Sequence, residues 1–146
     1  MEPDHPSGAA ILFVNRRGEF LLQLRDAIPT IRYPNHWGLV GGHAEPGETI
    51  EETLVRETLE EVGVSLTDYA FVETCLSVYE GGGMYIHVFS AALDAAAESL
   101  PLTEGQRVEY VSPTEALALR LVPWLAELLP RFVASPAYAS YVRSPE

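Results

Sequence analysis

The chain has no lysine. Its positive charge rests on nine arginines against 21 acidic residues, for a net charge of −12. Such a balance argues against a docking surface for long nucleic acids, whose affinity comes largely from neutralised phosphates. It leaves room for a small phosphorylated substrate that arrives with its own cation. Cys75 is the only cysteine, so an internal disulfide is excluded. A reducing, cytoplasmic setting is the expectation, with Cys75 a small core residue and not a nucleophile. There is no apolar run of membrane-spanning length, and no basic region followed by a hydrophobic segment near Met1. Neither membrane insertion nor secretion is expected. Internal repeats and interdomain linkers are also missing. What is present, 146 residues of which 47% are hydrophobic, suits one domain over 1–146 with a sizeable core. Loose tails are expected near 1–7 and 136–146.

Strand signals come in pairs. Ala9 to Asn15 (AAILFVN) reads as a buried strand, and Phe20 to Arg25 (FLLQLR) as its hairpin partner across a turn containing Gly18. Ala27 to His36 holds two prolines and reads as loop; a short strand begins at Trp37. Phe71 to Tyr79 and Met84 to Leu93 flank Glu80-Gly81-Gly82-Gly83 as a second hairpin. The second of these strands puts Tyr85, His87 and Phe89 on one face and Met84, Ile86 and Val88 on the other. With both faces apolar, it is expected to be central. Val108 to Val111 is the last strand. Ser112-Pro113-Thr114-Glu115 opens a helix as a capping box, and Leu121 to Val133 is a strongly apolar helix with Pro130 threatening its last turn. The fold class is α/β, an α/β/α sandwich with a mixed sheet between two helical layers.

The chain's acid is concentrated in Gly42 to Val64, GHAEPGETIEETLVRETLEEVGV, which holds seven carboxylates and one arginine. Thr49 to Val62 lacks Pro and Gly and reads as an amphipathic helix with Leu54, Val55, Thr58, Leu59 and Val62 as its buried stripe. Gly63 is placed to end it in the left-handed conformation. Glu57, Glu60 and Glu61 emerge on one side of one turn. Arg56, four residues from both Glu52 and Glu60, partly neutralises that side. Clustered carboxylates make either a solvated acidic face or a hard-cation site; Mg²⁺ takes such oxygen ligands and keeps waters or substrate phosphates as the rest. The glycines at 41, 42 and 47 bring backbone close to the carboxylates and favour the second reading.

This stretch resembles the signature of the Nudix hydrolases. Gly42, Glu48, Arg56-Glu57, Thr58, Glu60-Glu61, Gly63 and Val64 stand at the family's positions and spacing. Thr58 departs from the usual aliphatic; its hydroxyl is expected to bond back to a carbonyl. The resemblance implies the Nudix sandwich and a Mg²⁺-dependent (Mn²⁺ being an alternative) pyrophosphohydrolase. It implies a diphosphate-linked nucleotide substrate, with nucleoside triphosphates the first choice. Dinucleoside polyphosphates, nucleotide sugars and a non-catalytic nucleotide-binding module are the alternatives. Glu57, Glu60, Glu61 and the Gly42 carbonyl would hold metal, Glu61 or Glu104 would activate water, and Glu48 with Arg56 would pin loop to helix. Glu109 is the reserve for Glu104.

Outside the box, Arg25 is read either as an ion pair with Asp26 or as a phosphate contact. Arg32 and Tyr33 read as surface, and His36 as loop. His43, inside the box, and Tyr79, near the expected cleft, are substrate-side candidates. His87 reads as a satisfied core histidine. The aromatic C-terminal segment is a candidate to dock a second copy, as a homodimer.

Overall fold

The computed structural model describes residues 6–142. Met1 to His5 of the expected N-terminal tail lie outside the described residues, and Ser7 already belongs to a strand. The elements run β1 (Ser7–Val14), β2 (Phe20–Leu24), β3 (Trp37–Gly38), β4 (Val40–His43), α1 (Ile50–Val62), β5 (Ala70–Tyr79), β6 (Gly82–Ala92), β7 (Arg107–Val111), α2 (Pro113–Leu117), α3 (Pro123–Val133) and α4 (Pro136–Val142). All seven strands join one mixed sheet. β1 runs parallel to β6 from Ser7↔Tyr85 to Val14↔Ala92, and β6 pairs antiparallel with β5. β6 is therefore an inner strand, as its two apolar faces require.

The β1–β2 hairpin is splayed, and the splay positions the site. The two strands meet only at Val14↔Phe20. Beyond that pair β1 turns to β4, from Ile11↔Val40 to Gly8↔His43, while β2 pairs with β3 at Gln23↔Gly38 and Leu24↔Trp37. β7 covers the other edge of β2. Residues 37–43 thus cross from one half of the hairpin to the other through the small residues Gly38, Gly41 and Gly42. A side chain at Gly41 would meet the Ala9 carbonyl oxygen at 2.1 Å, so glycine is required for that crossing.

The two faces of the sheet carry separate cores. Ala9, Ile11, Phe13, Leu21 and Phe89 pack beneath Leu54 and Val62 of α1. Ala10, Leu12, Phe20, Leu22, Ile86 and Val88 pack against Leu125, Leu128, Leu129 and Phe132 of α3. The alternation along β1 is the period of two written in AAILFV. Together these give the expected α/β/α sandwich, with α1 and α3 on opposite sides.

Helix α1 begins with a reciprocal capping box between Thr49 and Glu52 and ends at Gly63 with φ 71°. Its buried side differs from the expected stripe: Thr53, Leu54, Thr58, Glu61 and Val62 are buried, whereas Leu59 is 50% exposed. Leu59 lies about 100° round the helix from Thr58, beyond the groove over β1 and β4. The Thr58 hydroxyl is buried with no hydrogen-bond partner, so the expected back-bond does not form. α2 shows the anticipated Ser112–Glu115 capping box, and α3 continues through Pro130 to Val133.

The C-terminal segment is not a loose tail as far as Val142. Ser135 Oγ accepts from the Tyr138 amide, and Tyr138 packs its ring 5.5 Å from Phe20 and 5.8 Å from Phe132 while its hydroxyl donates to the Gly18 carbonyl. Tyr141 meets Ser90 Oγ at 2.8 Å. The tyrosines expected to face a second subunit face the chain's own core. No helix among the described residues is long and apolar enough to cross a membrane.

Candidate active site

α1 presents its carboxylates in two different settings. Around Arg56 they are paired. Its Nε lies 2.6 Å from Glu48 Oε2 and its Nη2 2.9 Å from Glu48 Oε1, a bidentate fork; Nη1 reaches Glu57 at 2.9 Å and Glu60 at 3.3 Å. Nη2 also donates to the His43 carbonyl. Glu48 closes the loop a second time by accepting from the Glu45 amide and the Thr53 hydroxyl. The Arg56 guanidinium, then the Glu45 amide, hold the Glu48 carboxyl at about 2. The expected pinning of loop to helix is thus visible as geometry. Glu52 is not part of it, because it caps the helix. The Glu57 carboxyl presses against Gly42, where an added Cβ would lie 2.3–2.6 Å from its carboxyl atoms. Gly42 is needed there for that close approach.

One helical turn away, Glu61 is buried and poorly served. Gln23 Nε2 donates to its Oε1 at 3.4 Å, and its Oε2 is buried without any donor. Burial first, then the nearby Glu57 carboxyl, which can partner it only by sharing a proton, and the charge of Glu104 push the Glu61 carboxyl up to about 9. Glu104 enters from the loop before β7. That loop is fastened by Thr103 to the Glu60 and Glu61 carbonyls, and by Gln106 to the Leu24 and Arg25 carbonyls. Glu109, by contrast, pairs with Arg107 at 2.6 Å on β7 and lies outside the cleft. Of the two, Glu104 lines the cleft.

A cleft of about 280 Å³ opens beside these groups. Gln23, Arg25, Gly41, Gly42, His43 and Glu104 line its polar end, and Tyr33, Met84, Ile86 and Trp124 are among the groups on its apolar side. Arg25 makes no ion pair with Asp26. Its Nε donates to the Arg32 carbonyl at 2.9 Å, while Asp26 accepts from the Gly105 amide. Burial and the charge of Arg32 lower the Arg25 pKa, as for a cation kept from water without a full counter-charge. Arg32 and Tyr33 also line the cleft, which corrects their reading as plain surface. Tyr79 is beside it rather than in its wall: its ring lies 3.9 Å beneath the Arg32 guanidinium, and its hydroxyl donates to the Gly83 carbonyl. His43 is exposed at the rim. His36 meets the Pro34 carbonyl and His87 the Thr74 hydroxyl, each through Nδ1 at 2.9 Å, so both are satisfied away from the chemistry.

The carboxylates of Glu57, Glu60 and Glu61 do not by themselves close into a cation cage. Among the described residues no group of three or more His, Cys, Asp or Glu side chains is arranged to hold a metal ion. Arg56 stands between Glu57 and Glu60 instead. The donor set nevertheless suits a hard cation: all oxygen, crowded, and with a buried Glu61 oxygen that lacks any partner.

Residues 4–132 match the NUDIX domain. The chain belongs to the Nudix family. It is 32% identical over 121 residues to a CTP pyrophosphohydrolase of Escherichia coli (strain K12), covering 83% of this chain and 87% of that one. An isopentenyl-diphosphate Delta-isomerase of Nocardia farcinica (strain IFM 10152) is 32% identical over 143 residues, covering 88% and 78%. The crystal structure of a MutT protein from Methanosarcina mazei Go1 superposes with a TM-score of 0.79 at 24% identity, over 92% of this chain and 96% of that one, and shows the same fold. The chain is a Nudix-type hydrolase, an enzyme of phosphoanhydride bonds.

Nudix hydrolases are generally dependent on divalent metal, and the carboxylates above are the part of this Nudix domain that fits one. Sequence reading did not single out Gln23 or the fastening of Thr103, Gly105 and Gln106. A polar residue at an inward position of an apolar strand, the Q of FLLQL, was the available signal for Gln23.

Proposed function

We propose that this protein is a Mg²⁺-dependent pyrophosphohydrolase that cleaves a diphosphate linkage of a nucleoside triphosphate. The observation that carries the reading is the under-partnered, buried Glu61 carboxylate, bonded to Gln23 and neighboured by Glu57 and Glu104, next to a cleft whose polar end Gln23 and Glu104 line. Glu57, Glu60, Glu61 and the Gly42 carbonyl are the groups that would hold Mg²⁺, with Mn²⁺ as a substitute. When bound, the ion neutralises diphosphate oxygens and acidifies water. Glu61 or Glu104 accepts the proton of the attacking water. Arg25, with no carboxylate partner of its own, takes a phosphate that is not reacting, as a rigid fork suits anionic oxygens. His43 at the rim and Tyr79 beneath Arg32 act on the substrate side. The ion pair of Glu48 and Arg56 keeps the Gly42 loop against the helix. The pyrophosphohydrolase named for CTP is in keeping with this choice of substrate class.

The test is product analysis on a panel of nucleoside triphosphates, dinucleoside polyphosphates, nucleotide sugars and isopentenyl diphosphate with Mg²⁺ or Mn²⁺. Wild type is compared with Glu60→Gln. Monophosphate and pyrophosphate from a triphosphate, lost by about 10²–10³-fold or more in the variant, is the expected outcome. Preferred turnover of another class would replace the substrate. Folded wild type that binds nucleotides without turnover would replace the enzyme with a binding module.

A further inference from the structure

Gln23 occupies an unusual place for an amide. It is 6% exposed, on a strand whose neighbours Leu21 and Leu22 are core, and it faces α1 and the loop before β7. Its Nε2 donates to two acceptors on different elements, Glu61 Oε1 at 3.4 Å and the Glu104 carbonyl at 3.0 Å. One side chain on a rigid strand therefore ties the carboxylate of Glu61 to the backbone of Glu104, the two residues that compete for the role of base. The surrounding loop has few other choices. The Thr103 amide donates to the Glu61 carbonyl and the Gln106 amide to the Leu24 carbonyl. The Gln106 side chain donates to the Arg25 carbonyl at 2.8 Å and to Asn35 Oδ1 at 2.7 Å. Gly105 has φ +84°, and an added Cβ there would lie 3.0 Å from both Gln23 Cγ and the Leu24 carbonyl oxygen. The loop closes down on Gln23 because residue 105 has no side chain.

The consequence for Glu61 is directional. Gln23 engages Oε1, so Oε2 is the oxygen left without a partner. A buried carboxylate with both oxygens free would sample several rotamers, whereas one anchored by a strand amide presents a defined atom. We propose that Gln23 is a positioning residue: it fixes the Glu61 carboxylate so that Oε2 is the working oxygen, and it holds the Glu104 backbone so that the Glu104 side chain meets the same point in the cleft. This rests on the pyrophosphohydrolase reading for its effect on turnover, and on the observed contacts alone for its effect on the loop.

The variants are Gln23→Met, which keeps the length and volume and removes the donor, and Gln23→Glu, which keeps the shape and turns the donor into an acceptor facing Glu61. If Gln23 only fills space, the methionine variant keeps wild-type kcat. If it positions, kcat falls about 10-fold or more with KM within about twofold, because a small displacement of catalytic groups costs rate and not affinity. The glutamate variant then falls further. Amide hydrogen exchange, free of substrate and metal, supplies the second readout: protection at Thr103 to Gln106 is expected to drop in Gln23→Met while that of β1 and β6 is retained. Wild-type kcat in Gln23→Met, or exchange unchanged at 103–106, overturns the proposal. A uniform loss of protection across the sheet overturns it too, because the residue would then be a fold determinant. Failure of wild type to cleave any diphosphate would refute the enzymatic reading instead, and the exchange result would still decide whether Gln23 holds the loop.

Discussion

Arg56 and Glu61 are little more than a helical turn apart and live by opposite rules. Arg56 shares its guanidinium among Glu48, Glu57 and Glu60, and Glu48 is itself bonded again by Glu45 and Thr53. Every charge there has a partner. Glu61 is buried with one long hydrogen bond and one oxygen unserved. The first arrangement fixes the shape of the loop from His43 to Glu48. The second leaves a carboxylate that the fold alone would not select, because an unpartnered buried polar group costs stability. A helix that satisfies its charges at one turn and leaves one unsatisfied at the next marks the unsatisfied one as the candidate for function, as the proposal above has it.

The widest test of that contrast is Glu61→Gln. Turnover should fall about 10²–10³-fold, while the metal-free protein should gain stability over wild type as pH rises above the ordinary carboxylate range, since burial and then the neighbouring Glu57 disfavour an ionised Glu61 and an amide does not ionise. Urea unfolding at pH 7 without metal reads the second effect. A destabilised Glu61→Gln would show that the site is structural and end the contrast. Arg56→Gln should behave the other way. Its loss releases Glu48, Glu57 and Glu60 together, so the melting temperature falls and turnover drops about 10-fold through misplacement of Glu57. Arg56→Lys should recover only part of both, because a single ammonium cannot reproduce the fork on Glu48. Full recovery by lysine would mean that charge alone matters at this position.

Thr58 sharpens the comparison from another side. Its hydroxyl is also buried and unpartnered, yet it bonds to no residue of the cleft wall, whereas Glu61 accepts from Gln23, which lines it. An orphaned atom without a task should be removable. Thr58→Val keeps the shape and should stabilise by about 1 kcal/mol with turnover unchanged. A loss of turnover in that variant would show that orphaned atoms along this helix cannot be sorted by whether their side chain is bonded to the cleft wall.

The Arg56 side of this contrast was legible in the sequence and the Glu61 side only in part. Gly63 announced the end of the helix, and the R-E-x-x-E-E spacing gave the carboxylate turn. Nothing in that spacing says that Glu61 is buried while Glu60 is exposed. Hydrophobic periodicity places Leu59 in the buried stripe, and a buried glutamate inverts that guide. The T-x-x-E spacing of Thr49 and Glu52 is that of a capping box, and it competes with the i, i+4 spacing of Glu52 and Arg56. Gln23 and the Thr103–Gln106 loop lie 80 residues or so apart, and their contact depends on β2 pairing with β7, a tertiary fact. In the C-terminal segment, Ser135 ahead of Pro136 and the spacing of Tyr138 and Tyr141 are signals for a docked helix, which the tail-like content of Pro, Ser and Tyr masks.

The smallest effect expected concerns acid. The Glu48 carboxyl sits at about 2 in the folded protein, held down by its hydrogen bonds from Arg56 and then from the Glu45 amide, against an ordinary value near 4.5. A group depressed on folding contributes stability that is fully present above its unfolded pKa and is lost as pH falls through the folded one. The contribution of Glu48 should therefore be constant from neutrality down to about pH 4.5 and decline between there and pH 2. Because the pair lies half-buried at the surface, its share of the total is modest and partly screened by salt. Glu48→Gln should accordingly differ from wild type at pH 7 and converge with it by pH 2, and the gap at pH 7 should shrink in 1 M salt. The measurement is urea unfolding of both proteins across that range at two salt concentrations. A gap that persists unchanged to pH 2 would mean that Glu48 holds the loop through its bonds to the Glu45 amide and Thr53, which a glutamine keeps only in part, and that the charge on Arg56 is incidental to the satisfied half of the helix.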